Sequence, residues 1–353
     1  MDKGLGPTFS TVEHLERVYS RNFPEFTFCA SSLQDWQEWR VNLRQRIKAV
    51  LGGFPEKCEL KAKVVERKEA EGYYIEKIIL QVEQGLLMPA YFLIPEGIKF
   101  PAPVVLALHG HGRGADDVLG EYGSEVWQKW IRDYNYDYAR QLVQKGFITF
   151  VPEVRGFGGR EKESEKIVNP REEGNYGTSC RKASFNAILL GQPILGRKIW
   201  DIMRSIDYLE TRKEIDSERI GCLGLSMGGT IALFSSAMEE RIKVVVISCC
   251  LNTFRDSIMA IEHCECNYIP YILQYAEMYD ICGLIAPRPL LIEAAKDDPI
   301  FPFHATQLAF NKVREVYRLL GEEDKLNQDF FEGGHRFSGK KSFDWLKKWL
   351  FEE

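Results

Sequence analysis

From residue 101 onward, short apolar runs alternate with amphipathic stretches, and no other feature of the sequence constrains the fold as strongly. The apolar runs are expected to be strands, and they span residues 104–108, 148–152, 220–225, 244–248, 290–294 and 328–331. The helical patterns span residues 126–145, 196–212, 228–238, 304–320 and 342–350. Strands that are apolar on both faces and alternate with helices are typical of a mostly parallel sheet covered on both sides. We therefore predict an α/β fold built around such a sheet.

Two long stretches, about 154–195 and 251–287, fit neither the strand pattern nor the helix pattern. In α/β domains, long excursions usually lie over the site at the carboxyl ends of the strands. We therefore predict two insertions at these places, within a main domain of residues 85–353.

Residues 1–84 are predicted to form an N-terminal helical extension and a first strand. Within residues 32–51, apolar side chains recur at helical spacing, Ser32 and Asp35 resemble a capping pair, and Gly52 suits a helix end. The extended pieces that follow span residues 73–82 and 87–94. We expect the extension to pack on the sheet or on a neighbouring subunit of a homo-oligomer.

Charge and composition argue against several classes of partner. The 353 residues include 46 Lys and Arg against 51 Asp and Glu, a formal net charge of −5, whereas general nucleic-acid binders usually carry a basic excess. No apolar run reaches the roughly 18 residues that span a bilayer, and the first residues lack the apolar segment of a secretory signal. Nine cysteines are an odd number, which favours reduced thiols over a disulfide framework. We expect a cytoplasmic protein that binds neither nucleic acid nor membrane.

A G-x-S-x-G motif, Gly224-Leu225-Ser226-Met227-Gly228, lies between a predicted strand and a predicted helix. Such a motif holds a serine hydroxyl on a sharp, strained turn clear of the sheet, and its glycines leave room for that turn. The N-terminus of the following helix favours negative charge that develops at a reacting carbonyl. We predict that Ser226 is a nucleophile, and the competing interpretation is an ordinary connection between a strand and a helix.

A serine nucleophile needs an adjacent base, and in this architecture a carboxylate that orients the base precedes it in the chain. Among six histidines, His335 follows the last predicted strand in a glycine-rich loop, whereas His304 lies at the start of a helix. We predict that His335 is the base. Asp297 and Asp298 follow the strand at 290–294, and because they are adjacent, only one of them can point inward.

Two main-chain N–H groups are expected to stabilise the oxyanion of the reaction. One belongs to Met227, directly after the nucleophile. The other is expected from the loop after the strand at 104–108, where three of the residues 110–114 are glycines that let the backbone approach a substrate closely. Our candidate is the main-chain N–H of His111.

Together, these residues resemble the α/β-hydrolase superfamily over roughly residues 85–350, and most closely its dienelactone-hydrolase-like and acetyl-xylan-esterase-like branch of serine esterases. The resemblance rests on His109-Gly110-His111-Gly112, Trp200-Asp201 with Ile206-Asp207-Tyr208-Leu209, Gly224 to Gly229, Ala286-Pro287-Arg288-Pro289, Asp298-Pro299-Ile300-Phe301-Pro302 and Gly334-His335. It implies an α/β-hydrolase fold. It also implies that Asp298, four positions before Pro302, is the catalytic acid, and that His111, which follows a His-Gly pair, supplies the oxyanion N–H.

The resemblance further implies cleavage of carboxylic esters through an acyl-serine, without a cofactor or a metal. The expected substrates are short-chain or acetyl esters, including esters of carbohydrates. True dienelactone hydrolases use a cysteine nucleophile, so Ser226 sets this chain apart from that activity. Two alternatives stay open: a peptidase of the prolyl-oligopeptidase-like type, although no propeller domain precedes the hydrolase region, and a non-catalytic hydrolase-like binding protein.

Four residues are candidates for the substrate pocket: His109, Arg155, Tyr268 and Tyr271. The two tyrosines belong to an aromatic-rich part of the insertion at 251–287, a composition that suits either a pocket wall or core packing. Arg155 follows a strand end, where it suits a bound carboxylate, a bound sugar or a structural contact within the loop.

Two further patterns imitate nucleotide-binding motifs. Residues 110–115 match the G-x-G-x-x-G/A dinucleotide fingerprint, but residues 115–123 lack the apolar period of the helix that should follow. Residues 334–341 approach a phosphate-binding loop, but Lys341 stands where Ser or Thr should bind Mg²⁺. We favour neither interpretation.

A zinc site is suggested by His263-Cys264-Glu265-Cys266 together with the histidines of the loop after the strand at 104–108. Cys-x-Cys is not the usual zinc spacing, however, and no further cysteine lies nearby in the sequence to pair with it. We predict reduced cysteines in the wall of a pocket, and no metal.

Overall fold

The computed structural model describes residues 7–162 and 178–351, and a nine-stranded sheet forms the centre of this part of the chain. The strands are β1 (Lys63–Ala70), β2 (Tyr73–Glu83), β3 (Leu86–Pro95), β4 (Ala102–Leu108), β5 (Ile148–Pro152), β6 (Ile215–Leu225), β7 (Ile242–Ser248), β8 (Leu290–Ala295) and β9 (Leu326–Phe331). Their spatial order is β1-β2-β3-β5-β4-β6-β7-β8-β9. The pairs from β1 to β5 are antiparallel, and those from β5 across to β9 are parallel. The prediction of an α/β fold with a mostly parallel sheet is confirmed.

Strand β4 shows why the central strands are apolar on both faces. Val104, Leu106 and Leu108 pack into the hydrophobic core on one face of the sheet. Val105 and Ala107 pack into the core on the other face. Because successive side chains of a strand point to opposite faces, a strand covered on both sides must be apolar throughout.

Helices cover the sheet on both sides. They are α1 (Thr11–Ser20), α2 (Leu33–Val50), α3 (Ala115–Leu119), α4 (Glu125–Tyr134), α5 (Tyr138–Gln144), α6 (Cys180–Leu189), α7 (Ile194–Leu209), α8 (Met227–Met238), α9 (Ile272–Tyr275), α10 (Met278–Gly283), α11 (Phe303–Leu320) and α12 (Ser342–Phe351). Among the described residues, no helix combines the length and the apolar character needed to cross a membrane.

The single helix predicted at 126–145 is wrong, because the structure divides it into α4 and α5. Asn135 ends α4 with a φ of 49°, in the left-handed region that asparagine tolerates better than most residues. The apolar period continues on both sides of Asn135, so the sequence pattern alone did not reveal the turn.

Several short elements lie where the sequence showed no pattern. Strand β1 is exposed at nearly every position, so it lacks the alternation of buried and exposed residues that marks a strand. Helix α3 follows the glycine-rich loop after β4, where no helical period was visible. Helix α6 lies in the first predicted insertion, and α9 and α10 lie in the second.

The N-terminal extension packs on the chain's own core. Helix α2 begins with the predicted capping box of Ser32 and Asp35, and it buries Trp39, Leu43 and Ile47. The sheet runs without a break across the predicted domain boundary at residue 84, because β2 and β3 pair along almost their whole length.

Candidate active site

Ser226 lies at the turn between β6 and α8, with φ 58° and ψ −122°. A non-glycine residue in this region of backbone conformation is strained, and such strain is typical of a nucleophile elbow. The main-chain N–H of Ser226 donates to Ser248 O at the end of β7 (3.0 Å), which ties the elbow to the neighbouring strand.

Close approach of backbone explains two glycines of the motif. A Cβ on Gly228 would lie 1.9 Å from Leu108 O, and a Cβ on Gly224 would lie 2.2 Å from Gly228 O. A side chain at position 228 would push the elbow away from the end of β4, and one at position 224 would collide with the first turn of α8, so the motif needs glycine at both positions.

His335 and Asp298 form a hydrogen-bonded pair. His335 Nδ1 lies 2.7 Å from Asp298 Oδ2, and Asp298 Oδ1 accepts main-chain N–H groups from Ile300 (2.8 Å) and Phe301 (3.1 Å). The Asp298 carboxylate is almost fully buried, whereas Asp297 is exposed. Since an ionised carboxylate accepts hydrogen bonds and does not donate them, His335 Nδ1 carries the proton and Nε2 is left free to act as a base.

Ser226, Asp298 and His335 lie at one edge of the sheet. They follow β6, β8 and β9, which run parallel and end at the same side. Cys249 follows the intervening β7, and its Sγ lies within 4.8 Å of the ligand atoms of Asp298 and His335. Within the described residues the Ser226 hydroxyl makes no hydrogen bond. Catalytic hydrogen bonds are often long or unformed before a substrate is bound.

The loop after β4 lies directly against the turn that carries Ser226. A Cβ on Gly110 would lie 3.3 Å from Ser226 Cβ and 2.9 Å from Leu225 O. The buried Tyr136 hydroxyl holds this loop, because it accepts the N–H of Gly110 (2.8 Å) and donates to His111 O (3.2 Å). Tyr136 belongs to no short motif, so the sequence does not mark it as part of the site.

Both predicted oxyanion residues lie beside the elbow. Met227 is the first residue of α8, and a helix leaves its first N–H groups without intrahelical partners. His111 lies one residue beyond Gly110, which contacts Ser226. The assignment of Met227 and His111 as oxyanion donors stays a prediction.

His109 was predicted to line the substrate pocket, and the structure instead buries its ring completely. His109 Nε2 accepts the N–H of Val154 (2.9 Å), and Nδ1 donates to Gly110 O (2.9 Å). With both ring nitrogens bonded to main chain, His109 fastens the loop after β4 to the end of β5.

Arg155 is also engaged within the protein. Its Nε donates to Asp201 Oδ2 (2.8 Å), and its Nη2 contacts Asp201 Oδ1 (2.6 Å) and Glu83 Oε1 (2.5 Å). Burial by itself would lower the pKa of Arg155, but these two carboxylates raise it above its ordinary value. Of the interpretations of Arg155 given above, this geometry agrees with a structural contact.

The two pocket tyrosines differ in their surroundings. Tyr268 is 40% exposed and donates to Ile258 O (3.0 Å), whereas Tyr271 is 69% exposed. Their role in binding a substrate stays a prediction.

His263 lies next to the base through one aromatic ring. Its ring packs on Phe301 (centroids 5.7 Å apart), and Phe301 stacks on His335 (5.9 Å). Burial, and then the nearby His111, lower the pKa of His263 to about 4, so its imidazole is neutral near pH 7. In the sequence, His263 is marked only by its place in the zinc-like pattern His263-Cys264-Glu265-Cys266.

The expectation, based on neighbours in the sequence, that Cys264 and Cys266 have no partner cysteine is wrong in three dimensions. Cys180, at the start of α6, lies 3.9 Å from Cys264 between the sulfur atoms. Cys266 Sγ lies 3.6 Å from His111 Nε2. A residue 84 positions earlier in the chain thus completes a cluster of thiols beside the loop after β4.

A serine elbow at the carboxyl edge of a mostly parallel sheet defines the α/β-hydrolase class of proteins. The particular family follows from comparison: the model of the Abhydrolase family matches residues 8–332, and the chain belongs to that family. Both results confirm the α/β-hydrolase fold predicted from the resemblance.

Individual relatives agree with this family. The chain is 25% identical over 323 residues to YtaP of Bacillus subtilis (strain 168), a protein named as a hydrolase, and the alignment covers 88% of this chain and 100% of YtaP. A Bacteroides fragilis NCTC 9343 protein described as an acetyl xylan esterase has a similar fold, with a TM-score of 0.78, 20% identity, and coverage of 92% of this chain and 83% of that chain. A glucuronoyl esterase from Solibacter usitatus superposes with a TM-score of 0.67, 15% identity, and coverage of 92% and 97%.

Proposed function

We propose that this protein is a serine hydrolase that cleaves carboxylic esters. The observation that carries the proposal is the strained Ser226 at the same sheet edge as a histidine already oriented by a buried aspartate. That arrangement suits acyl transfer through a covalent serine intermediate.

The proposed reaction has two steps. In the first, His335 Nε2 takes the proton of the Ser226 hydroxyl as the oxygen attacks the ester carbonyl. The main-chain N–H groups of Met227 and His111 stabilise the oxyanion, and His335 returns the proton to the leaving alcohol. In the second, His335 Nε2 takes a proton from a water molecule as its oxygen attacks the acyl carbonyl. The bond to Ser226 Oγ then breaks, His335 returns the proton to that oxygen, and the acid leaves.

Asp298 supports both steps without changing its own protonation. It fixes the tautomer and the orientation of His335 and stabilises the imidazolium that forms when Ser226 loses its proton. The two main-chain N–H groups that Asp298 accepts hold its carboxylate in place.

For the substrate, we propose short-chain or acetyl esters, including esters of carbohydrates. One structural neighbour is described as an acetyl xylan esterase and another as a glucuronoyl esterase, which supports esters of carbohydrates as substrates. Arg155 is already paired with Asp201 and Glu83, so it adds no support for a substrate carboxylate at that position.

The test is a chain-length series of p-nitrophenyl esters together with acetylated xylo-oligosaccharides, assayed on wild type and on Ser226→Ala. We expect the highest kcat/KM for the acetyl and other short esters, and loss of activity in the variant. A fluorophosphonate should label wild type at Ser226 alone. Hydrolysis that survives in Ser226→Ala, or a label on another residue, would refute the proposal.

A further inference from the structure

Four metal-ligating side chains converge beside the loop after β4. One ligand atom from each of His111, Cys180, Cys264 and Cys266 lies within 4.8 Å of all the others. Cys180 and Cys266 are buried, and the other two are half-buried. The four residues come from three separate parts of the chain: the loop after β4, the first insertion and the second insertion.

Two of the six separations between the ligand atoms match the edges of a tetrahedral zinc site, and the other four are at most 4.8 Å. With Zn–S bonds of about 2.3 Å and Zn–N bonds of about 2.0 Å, the tetrahedron has edges of about 3.8 Å between sulfurs and about 3.5 Å from sulfur to nitrogen. The Cys180–Cys264 sulfur distance is 3.9 Å, and the distance from Cys266 Sγ to His111 Nε2 is 3.6 Å.

A buried positive charge beside the cluster also favours a bound zinc ion. Lys198 is 2% exposed, and its Nζ contacts Cys180 Sγ (3.5 Å), Met227 Sδ (3.0 Å) and the face of Phe157. Within residues 7–162 and 178–351, no carboxylate pairs with it. Buried charges are normally paired. Zn²⁺ with three thiolates and one neutral imidazole carries one net negative charge, which an ammonium group balances.

We propose that His111, Cys180, Cys264 and Cys266 bind one zinc ion in a closed Cys₃His site. Four protein ligands leave no open position, so the metal has a structural role and is not the Lewis acid of the reaction. It joins both insertions to the loop after β4. An ion pair between Arg181 and Glu265 (3.0 Å) already holds the two insertions together next to the thiols.

The site also bears on catalysis, and this part of the inference rests on the proposed function. The residue whose ring binds zinc is the residue whose main-chain N–H is proposed to stabilise the oxyanion. A ligated His111 is fixed from its side chain, while Tyr136 fixes its carbonyl oxygen (3.2 Å).

The first test measures metal on the full chain, purified under reducing conditions. We expect one zinc per chain by mass spectrometry of the metal. After zinc removal, Co²⁺ should bind with the thiolate-to-cobalt charge-transfer band and the visible absorption of a tetrahedral site. Folded, reduced protein that neither retains zinc nor gives this band would overturn the proposal, and so would a Cys180–Cys264 disulfide as the stable form under these conditions.

The second test uses variants. Cys264→Ser should weaken Co²⁺ binding at least about 100-fold, since even loss of an outer-sphere partner costs about 10- to 100-fold. The matched control is Cys29→Ser, which removes an exposed thiol outside the cluster and should bind as wild type does. Equal binding by both variants would refute the assignment.

A third measurement uses the wild-type protein, so it does not depend on whether a variant of a zinc ligand folds. In zinc-loaded wild type, Cys180, Cys264 and Cys266 should resist alkylation, and a chelator should expose all three together. Reactivity that zinc does not change would contradict the proposal. Ser226→Ala should bind Co²⁺ as wild type does, so failure of the metal site and failure of the ester hydrolase proposal are read separately.

Discussion

At the scale of single residues, two adjacent carboxylates after β8 have opposite surroundings. Asp298 accepts three hydrogen bonds and is 6% exposed, whereas the side chain of Asp297 faces solvent. The Asp297 main chain still takes part in the site, because its N–H donates to Gly333 O (3.0 Å) and so ties the histidine loop to β8.

The proposed triad should behave as a unit. Ser226→Ala and His335→Ala are each expected to lower kcat at least about 1,000-fold, and the double variant should fall within about tenfold of either one. The reason is that a base without its nucleophile, or the reverse, contributes almost nothing. Steady-state kinetics on acetyl esters measures this, and losses that multiply in the double variant would contradict it.

Tyr136 is expected to act as a positioning residue. Tyr136→Phe leaves the Gly110 N–H without its partner and frees His111 O, so kcat should fall about tenfold while KM changes little. The matched control is Tyr74→Phe on β2, since the Tyr74 hydroxyl makes no hydrogen bond in the part of the chain the structure describes. Equal kinetics in the two variants would show that the loop does not depend on Tyr136.

At the scale of elements, burial decided what the sequence could predict. The central strands were found because every residue of β4, β5 and β8 is buried and apolar runs mark them. Among the described strands β1 pairs with β2 alone, and its side chains meet solvent, so no apolar pattern marks it in the sequence.

The sequence predicts some parts of the candidate site and leaves others unmarked. The elbow, the acid and the base follow strands in a fixed chain order, so their positions could be predicted from motifs. The approach of Cys180 to Cys264 depends on how two insertions fold against each other. No periodicity encodes that contact, so the sequence predicts no partner for the thiols of Cys264 and Cys266.

Strand β8 carries a buried acid outside the proposed triad. Glu293 accepts hydrogen bonds from Ser342 Oγ and from the N–H groups of Ser338 and Gly339. Burial, with the negative Asp329 nearby, raises its pKa from an ordinary 4.5 to about 7. The fold therefore favours the protonated form.

This shift predicts a pH-dependent stability. The protonated Glu293 side chain contributes to the free energy of unfolding, and this contribution is fully present below pH 4.5 and is lost as the pH rises through 7. Glu293→Gln has no titrating group at this position. The free energy of unfolding of the variant minus that of wild type should therefore increase by roughly 2 to 3 kcal/mol from pH 5 to pH 8. Urea unfolding at both pH values tests this, with the exposed Glu332→Gln as control. A difference that is constant with pH would contradict it.

At the scale of the whole molecule, the N-terminal extension and the sheet share one core. Leu43 and Ile47 of α2 are fully buried in the cluster that also contains Val104 and Ile220. The sequence pattern changes near residue 84, but the residues on both sides of that boundary pack into the same hydrophobic core.

A core variant tests whether the extension unfolds separately. Leu43→Ala should cost about 2 to 5 kcal/mol, and it should shift one common unfolding transition. Far-ultraviolet circular dichroism and loss of ester hydrolysis, followed in the same urea series, measure this. Two transitions, with only the first shifted while hydrolysis is retained, would show that the extension unfolds by itself. Exposed Val41→Ala on the same helix is the control.

The exposure of β1 has a consequence for how copies of this protein meet. A sheet edge with free main-chain groups is a template on which another chain can add a strand and begin to aggregate. Here β1 carries five exposed charged side chains of mixed sign: Lys63, Glu66, Arg67, Lys68 and Glu69. A second molecule would have to desolvate these side chains in order to dock, and this cost disfavours the addition of another chain's strand at β1.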